Sequence, residues 1–147
     1  MSGRTLLDVN VLIALFDAGH VHHEAAHDWF ADNRAQGWAT CAITENGFVR
    51  VLTNPRSPID APATAIVKSL KTLCASGDHV FWTDGPSLRE DLFDLSYAPG
   101  HRQVTDVYLL GLAVRHDGRL ATFDRGIPIK AVKGATAETV ALIAPAD

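Results

Sequence analysis

Apolar positions along the chain fall into two patterns. Thr5 to Leu7, Trp38 to Ile43, His79 to Thr83 and Arg119 to Asp124 are short apolar-rich runs without strict polar alternation. Runs of that kind predict strands buried on both faces of a parallel sheet. Between them the apolar residues recur at helical spacing. The stretch after Asp8 predicts a helix to about Asp17. His22 to about Gln36 predicts a second, with Ala26, Trp29 and Phe30 inward and Gly37 as its stop. A third helix is expected to begin at Glu45 and to end before Asn54-Pro55. Ala63, Ile66, Val67, Leu70, Leu73 and Cys74 mark a fourth, capped by Asp60 with Pro62 in its first turn.

Ser87 and Glu90 have the spacing of a capping box, which predicts a short helix to about Leu95. Ser96 to Gln103 reads as an exposed polar loop. Val104 to His116 is apolar all round in its middle and predicts a buried helix. Ile127 to Val132 and Thr139 to Ile143 read as one or two weaker edge strands. The alternation of strands and helices predicts an α/β fold: a three-layer α/β/α sandwich around a mostly parallel sheet of four to five strands. No linker interrupts it, so residues 1–147 are expected to form one domain.

The formal net charge of −4 argues against nucleic-acid binding by a broad positive field. It does not exclude a nuclease, because a metal site gathers acids that a bound cation offsets. Cys41 and Cys74 stand in apolar segments with no metal or redox spacing and read as small buried hydrophobes. No signal peptide is indicated, and no apolar run approaches the ~18 residues of a membrane span. A cytoplasmic protein with no membrane partner is expected.

Four acids stand out by position. Asp8 and Asp124 end strands, Glu45 starts the helix after the second strand, and Asp106 starts the buried helix. In a parallel sheet these points share one edge, where ligands bind. Asp8 has two readings: a helix N-cap, or a buried acid whose desolvation something must compensate. Four carboxylates in one cleft raise one another's pKa unless a cation sits among them. Oxygen ligands without a compact Cys or His set point to Mg²⁺ or Mn²⁺, and so to phosphodiester hydrolysis.

The segments around these acids resemble the motifs of PIN-domain ribonucleases, most closely the VapC toxins of VapBC toxin–antitoxin modules. They are Leu6 to Ile13, Ile43 to Pro55, Gln103 to Leu110 and Leu120 to Gly126. The resemblance spans almost the whole chain in the family's order. It implies that Asp8, Glu45, Asp106 and Asp124 form a metal-binding catalytic quartet. It also places Asn10 and Thr122 beside that quartet, fixing carboxylate rotamers or holding water. It further implies an Mg²⁺- or Mn²⁺-dependent endoribonuclease, often a homodimer, inhibited by a VapB-type antitoxin that covers the cleft. Arg50, His101 and Arg102 are weaker candidates for RNA phosphate contacts, each more readily read as a solvated surface charge.

Two other classes compete. His23-Glu24-Ala25-Ala26-His27 is a literal H-E-x-x-H, the zinc-peptidase pattern. No Gly follows His27 by three residues, and a third ligand would have to be a distant acid. The bland alternative is an exposed polar helix face. A non-catalytic PIN-like module that binds RNA or protein is the other. Trp29, Trp38 and Trp82 sit in apolar segments and read as core.

Overall fold

The computed structural model describes residues 3–83 and 85–144. Its five strands are all parallel and lie in the order β3-β2-β1-β4-β5. They are β1 (Thr5–Leu7), β2 (Trp38–Cys41), β3 (His79–Trp82), β4 (Arg119–Thr122) and β5 (Val140–Leu142). The helices are α1 (Val9–Phe16), α2 (His23–Asn33), α3 (Ala42–Leu52), α4 (Ala63–Cys74) and α5 (Val104–Arg115). This is the expected α/β/α sandwich.

Period-two strand geometry explains the layers. Leu6, Ala39 and Leu120 point to one face and pack with Val107, Leu109 and Leu110 of α5. Leu7, Trp38 and Ala121 point to the other and pack with Val11, Leu12, Phe30, Phe48 and Ile66 from α1–α4. The three central strands are therefore buried on both sides. The outer strand β3 is not: Val80 and Phe81 are exposed, contrary to the buried run expected from sequence. An edge position removes one neighbour, and no helix covers these two side chains. Among the described residues no helix is long and apolar enough to cross a membrane.

Several boundaries differ from the sequence expectation. The strand at Trp38 ends at Cys41, and α3 begins at Ala42 rather than Glu45. Cys41 is the N-cap, and Thr44 closes a capping box by accepting from the Cys41 N–H at 3.0 Å. Asp60 does not cap α4; Pro62 is its N-cap, without a side-chain cap bond. The Pro62 backbone is extended, with ψ 158°, so the helix starts at Ala63.

The short helix at Ser87 does not form. Glu90 does accept from the Ser87 N–H at 2.6 Å, but its other oxygen accepts from Arg115 at 2.7 Å. Phe93 then pairs with Val132 in an isolated antiparallel bridge. The expected strand at Ile127–Val132 is likewise replaced by a 3-10 turn at Ile129–Ala131. Each segment offers its backbone to the other instead of to its own element. The edge strand expected within Thr139–Ile143 is β5.

Phe93 reaches the core by lying across Gly111 of α5, where a Cβ would collide with its ring. Gly111→Ala gains helix propensity of about 1 kcal/mol but overpacks this contact, at about 1–3 kcal/mol. A net loss of stability is expected, read as a lower urea midpoint with an unchanged slope.

Candidate active site

Asp8 directly follows β1. Its N–H donates to the Ala121 carbonyl at 3.1 Å and so extends the β1–β4 ladder. The residue is buried, at 7% exposure. Its two carboxylate oxygens have different jobs. Oδ1 accepts from the Val9 N–H at 2.7 Å and caps α1, while Oδ2 accepts from the Thr122 hydroxyl at 3.1 Å. The cap and the oriented buried acid are thus one residue.

Thr122 is fully buried at the end of β4. Besides donating to Asp8, its hydroxyl accepts from the Asp124 N–H at 3.1 Å, which fixes the turn presenting Asp124. Asp124 is exposed, and its Oδ1 accepts from the Gly126 N–H at 2.7 Å. Asp106 lies in the first turn of α5, half-buried.

The electrostatics tie these three acids together. Burial, then the negative charges of Asp8 and Asp124 and a hydrogen bond with Asp124, push the Asp106 carboxyl up to about 7. Burial also raises Asp8, against the Thr122 and Val9 donors, with Asp124 adding to the rise. The charges that raise Asp8 and Asp106 are those of neighbouring aspartates. A cluster of mutually repelling oxygen donors fits a hard divalent cation, whose binding would relieve the repulsion.

Glu45 lies elsewhere. Because α3 starts at Ala42, Glu45 is one turn into the helix, and helical side chains lean back towards the N-terminus. Its Oε2 accepts from the Thr40 hydroxyl at 2.7 Å, and that hydroxyl is 2.8 Å from His79 Nε2. Its charge acts on Cys74 and His79. The structure therefore brings Asp8, Asp106 and Asp124 together and turns Glu45 towards β2, β3 and α4. Cys41 is buried as expected from sequence. Cys74 is only half-buried and meets polar neighbours.

Asn10 is exposed and lines a groove with Asp17, His20, Asn54 and Arg56. Arg50 lines a different cavity of about 420 Å³, with Val9, Asn46, Gly47 and Thr105. Val9 and Thr105, two of its lining residues, adjoin Asp8 and Asp106 in sequence. Asn46 and Thr105 were missed by the sequence reading; their signal was adjacency to Glu45 and Asp106. His101 and Arg102 are exposed on the 3-10 turn that leads into α5. Trp38 and Trp82 are buried and Trp29 packs against the core.

The histidines of His23-Glu24-x-x-His27 share a helix face, but their ring nitrogens serve the fold. His23 Nδ1 lies 2.6 Å from the Ala14 carbonyl oxygen and His27 Nε2 lies 2.8 Å from that of Leu15. These carbonyls belong to the last turn of α1, which has no helical N–H to pair them. Glu24 is exposed. The motif caps a helix terminus rather than assembling a zinc site.

A family model described as PIN domain matches residues 5–133. Ribonuclease VapC44 of Mycobacterium tuberculosis is 45% identical over 141 residues, covering 95% of this chain and 99% of that protein. Ribonuclease VapC38 of the same species is 48% identical over 123 residues, covering 83% and 86%. Ribonuclease VapC39 is 44% identical over 133 residues, covering 88% and 94%.

Two outcomes are expected from this geometry. His23→Ala and His27→Ala each lower stability by about 1 kcal/mol through the unpaired α1 carbonyls, measured by urea denaturation. For Asp106, the unfolded carboxyl ionises near 3.8 and the folded one near 7, so stability falls as pH rises across that interval. Asp106→Asn removes this penalty. In EDTA at pH 8 it raises stability by about 1 kcal/mol, most of the shift being screened at a half-exposed site. The gain should vanish at pH 4, as checked by thermal melts.

Proposed function

The chain belongs to the PIN-domain family, and we propose that it is a divalent-metal-dependent endoribonuclease, the toxin of a type II toxin–antitoxin pair. One observation carries the reading: Asp8, Asp106 and Asp124 are gathered at one sheet edge, where the negative charges of the aspartates act on one another. The names and coverage of the VapC relatives support it.

In this proposal Asp8, Asp106 and Asp124 hold Mg²⁺ or Mn²⁺, joined by Glu45 on a change of rotamer. The cation would supply charge stabilisation at a phosphoryl oxygen and activation of a water for in-line attack. Thr122 holds Asp8 in one rotamer and sets the turn of Asp124. Asp106, held near neutrality in the absence of cation, can keep or release a proton at working pH. Arg50, with Asn46 and Thr105, lines a cavity that can accept an RNA phosphate beside the reacting bond. His101 and Arg102, exposed before α5, are placed to meet the strand further out. The products would carry a 5′-phosphate and a 3′-hydroxyl.

The assembly belongs to the same proposal: one domain over residues 1–147, a homodimer, in the cytoplasm. A VapB-type antitoxin completes it by aiming a basic side chain at the aspartates and supplying the missing positive charge.

The test is cleavage of total RNA with EDTA, Mg²⁺ or Mn²⁺. Discrete fragments that need Mg²⁺ or Mn²⁺, and vanish with Asp8→Asn, are expected. Thr122→Val should keep the fold and slow cleavage about 10- to 100-fold. Products ending in 2′,3′-cyclic phosphate would overturn the mechanism. RNA binding without cleavage under every metal would favour the non-catalytic module.

A further inference from the structure

Outside the aspartate cluster, three side chains of different chemistry converge. Glu45 of α3, Cys74 at the end of α4 and His79 at the start of β3 each place one ligating atom within 4.8 Å of the others. Among the described residues, they are the group of metal-ligating atoms gathered this closely. All three are half-buried, reachable by an ion yet shielded from bulk water.

We infer that Glu45, Cys74 and His79 bind a thiophilic divalent cation of the Zn²⁺ class, and that this ion holds Glu45 away from the nuclease cleft. The second clause rests on the reading of Glu45 as part of the catalytic set; the first does not.

The donor set decides the ion. A thiolate, an imidazole and a carboxylate suit Zn²⁺, whereas Mg²⁺ takes oxygen ligands only. Three protein ligands leave a fourth tetrahedral position for water. Zinc bonds of about 2.0–2.3 Å put ligand atoms roughly 3.3–3.8 Å apart, so closure asks for movements of about 1 Å. Glu45 has the rotatable bonds for this, and Cys74 sits at a helix end. Binding releases the thiol proton to solvent.

The surroundings are already ordered for such an ion. The Thr40 hydroxyl, fully buried, contacts both Glu45 Oε2 (2.7 Å) and His79 Nε2 (2.8 Å). Outer partners of this kind fix ligand orientation in metal sites. The His79 ring packs on Trp38 at 4.5 Å between centroids. Cys74 and His79 are joined by the turn that ends α4, so the two ligands come from one local segment.

Ligating this ion keeps Glu45 in the rotamer that faces Cys74 and His79, not the one that would join the aspartate cluster. Zn²⁺ should therefore oppose Mg²⁺-supported cleavage by withdrawing a ligand.

The experiment titrates the purified, reduced full chain with Co²⁺ as a spectroscopic stand-in for Zn²⁺. Thiolate-to-cobalt absorption and tetrahedral d–d bands are expected, displaced by Zn²⁺ and lost in Cys74→Ser and His79→Gln. Asp8→Asn, inactive as a nuclease in the proposal, should keep the whole spectrum, which separates this site from the catalytic reading. Absence of thiolate absorption in the wild type, or its persistence in Cys74→Ser, overturns the site. In cleavage assays with Mg²⁺, stoichiometric Zn²⁺ should slow the wild type about tenfold or more and leave Cys74→Ser nearly unaffected. Equal inhibition of both would overturn the link to Glu45 while the cobalt spectrum still decides the site.

Discussion

The parallel pairing of β1 with β4 underlies the arrangement of the acids. Leu7 stands opposite Ala121, and the next N–H, that of Asp8, donates to the Ala121 carbonyl. This register sets Asp8 beside Thr122 and gives its buried carboxylate a hydroxyl donor. A slip of one residue would exchange the faces of Leu6 and Leu7 and remove that donor together. The two hydrophobic layers therefore enforce the register that the carboxylate needs.

The same logic recurs one strand away. Thr40 in β2 and Thr122 in β4 are both fully buried, and each donates to one acid. Thr122 serves Asp8 on the aspartate side, and Thr40 serves Glu45 on the side of α4. A buried hydroxyl can hold a carboxylate without neutralising it. The aspartate cluster remains electrostatically strained: burial and the charges of Asp8 and Asp124 raise Asp106. That strain opposes folding and favours a cation, a common exchange of stability for function at sites of this kind.

Helix α1 links the site to the scaffold at both ends. Its N-terminus is capped by Asp8, and its last carbonyls are met by His23 and His27 from α2. Along its side Val9 lies so near Gly47 that a Cβ there would sit 2.7 Å away. Close approach of α3 to α1 shapes the cavity that Arg50 and Thr105 share. An H-E-x-x-H motif thus serves the nuclease scaffold by holding the helix that presents Asp8.

Much of this could be read without coordinates. Apolar runs marked β1, β2, β3 and β4; in the three central strands they reflect burial on both faces. The order of strands and helices gave the sandwich, and strand-end and helix-start positions singled out Asp8, Glu45, Asp106 and Asp124. Local pattern failed where partners are distant in sequence. It predicted a helix at Ser87 and a strand before Val132, and both yielded to a bridge between Phe93 and Val132. It took His23 and His27 as a possible metal pair, since the carbonyls they meet lie in another helix. It took Cys74 as a small hydrophobe, since spacing along one helix says nothing of Glu45 on α3 and His79 on β3. The sequence by itself determined which residues are apolar, which are acidic and in what order they come. Which acids face each other, and which face a thiol and an imidazole, was settled by strand register and by the one-turn-earlier start of α3, which only long-range packing can set.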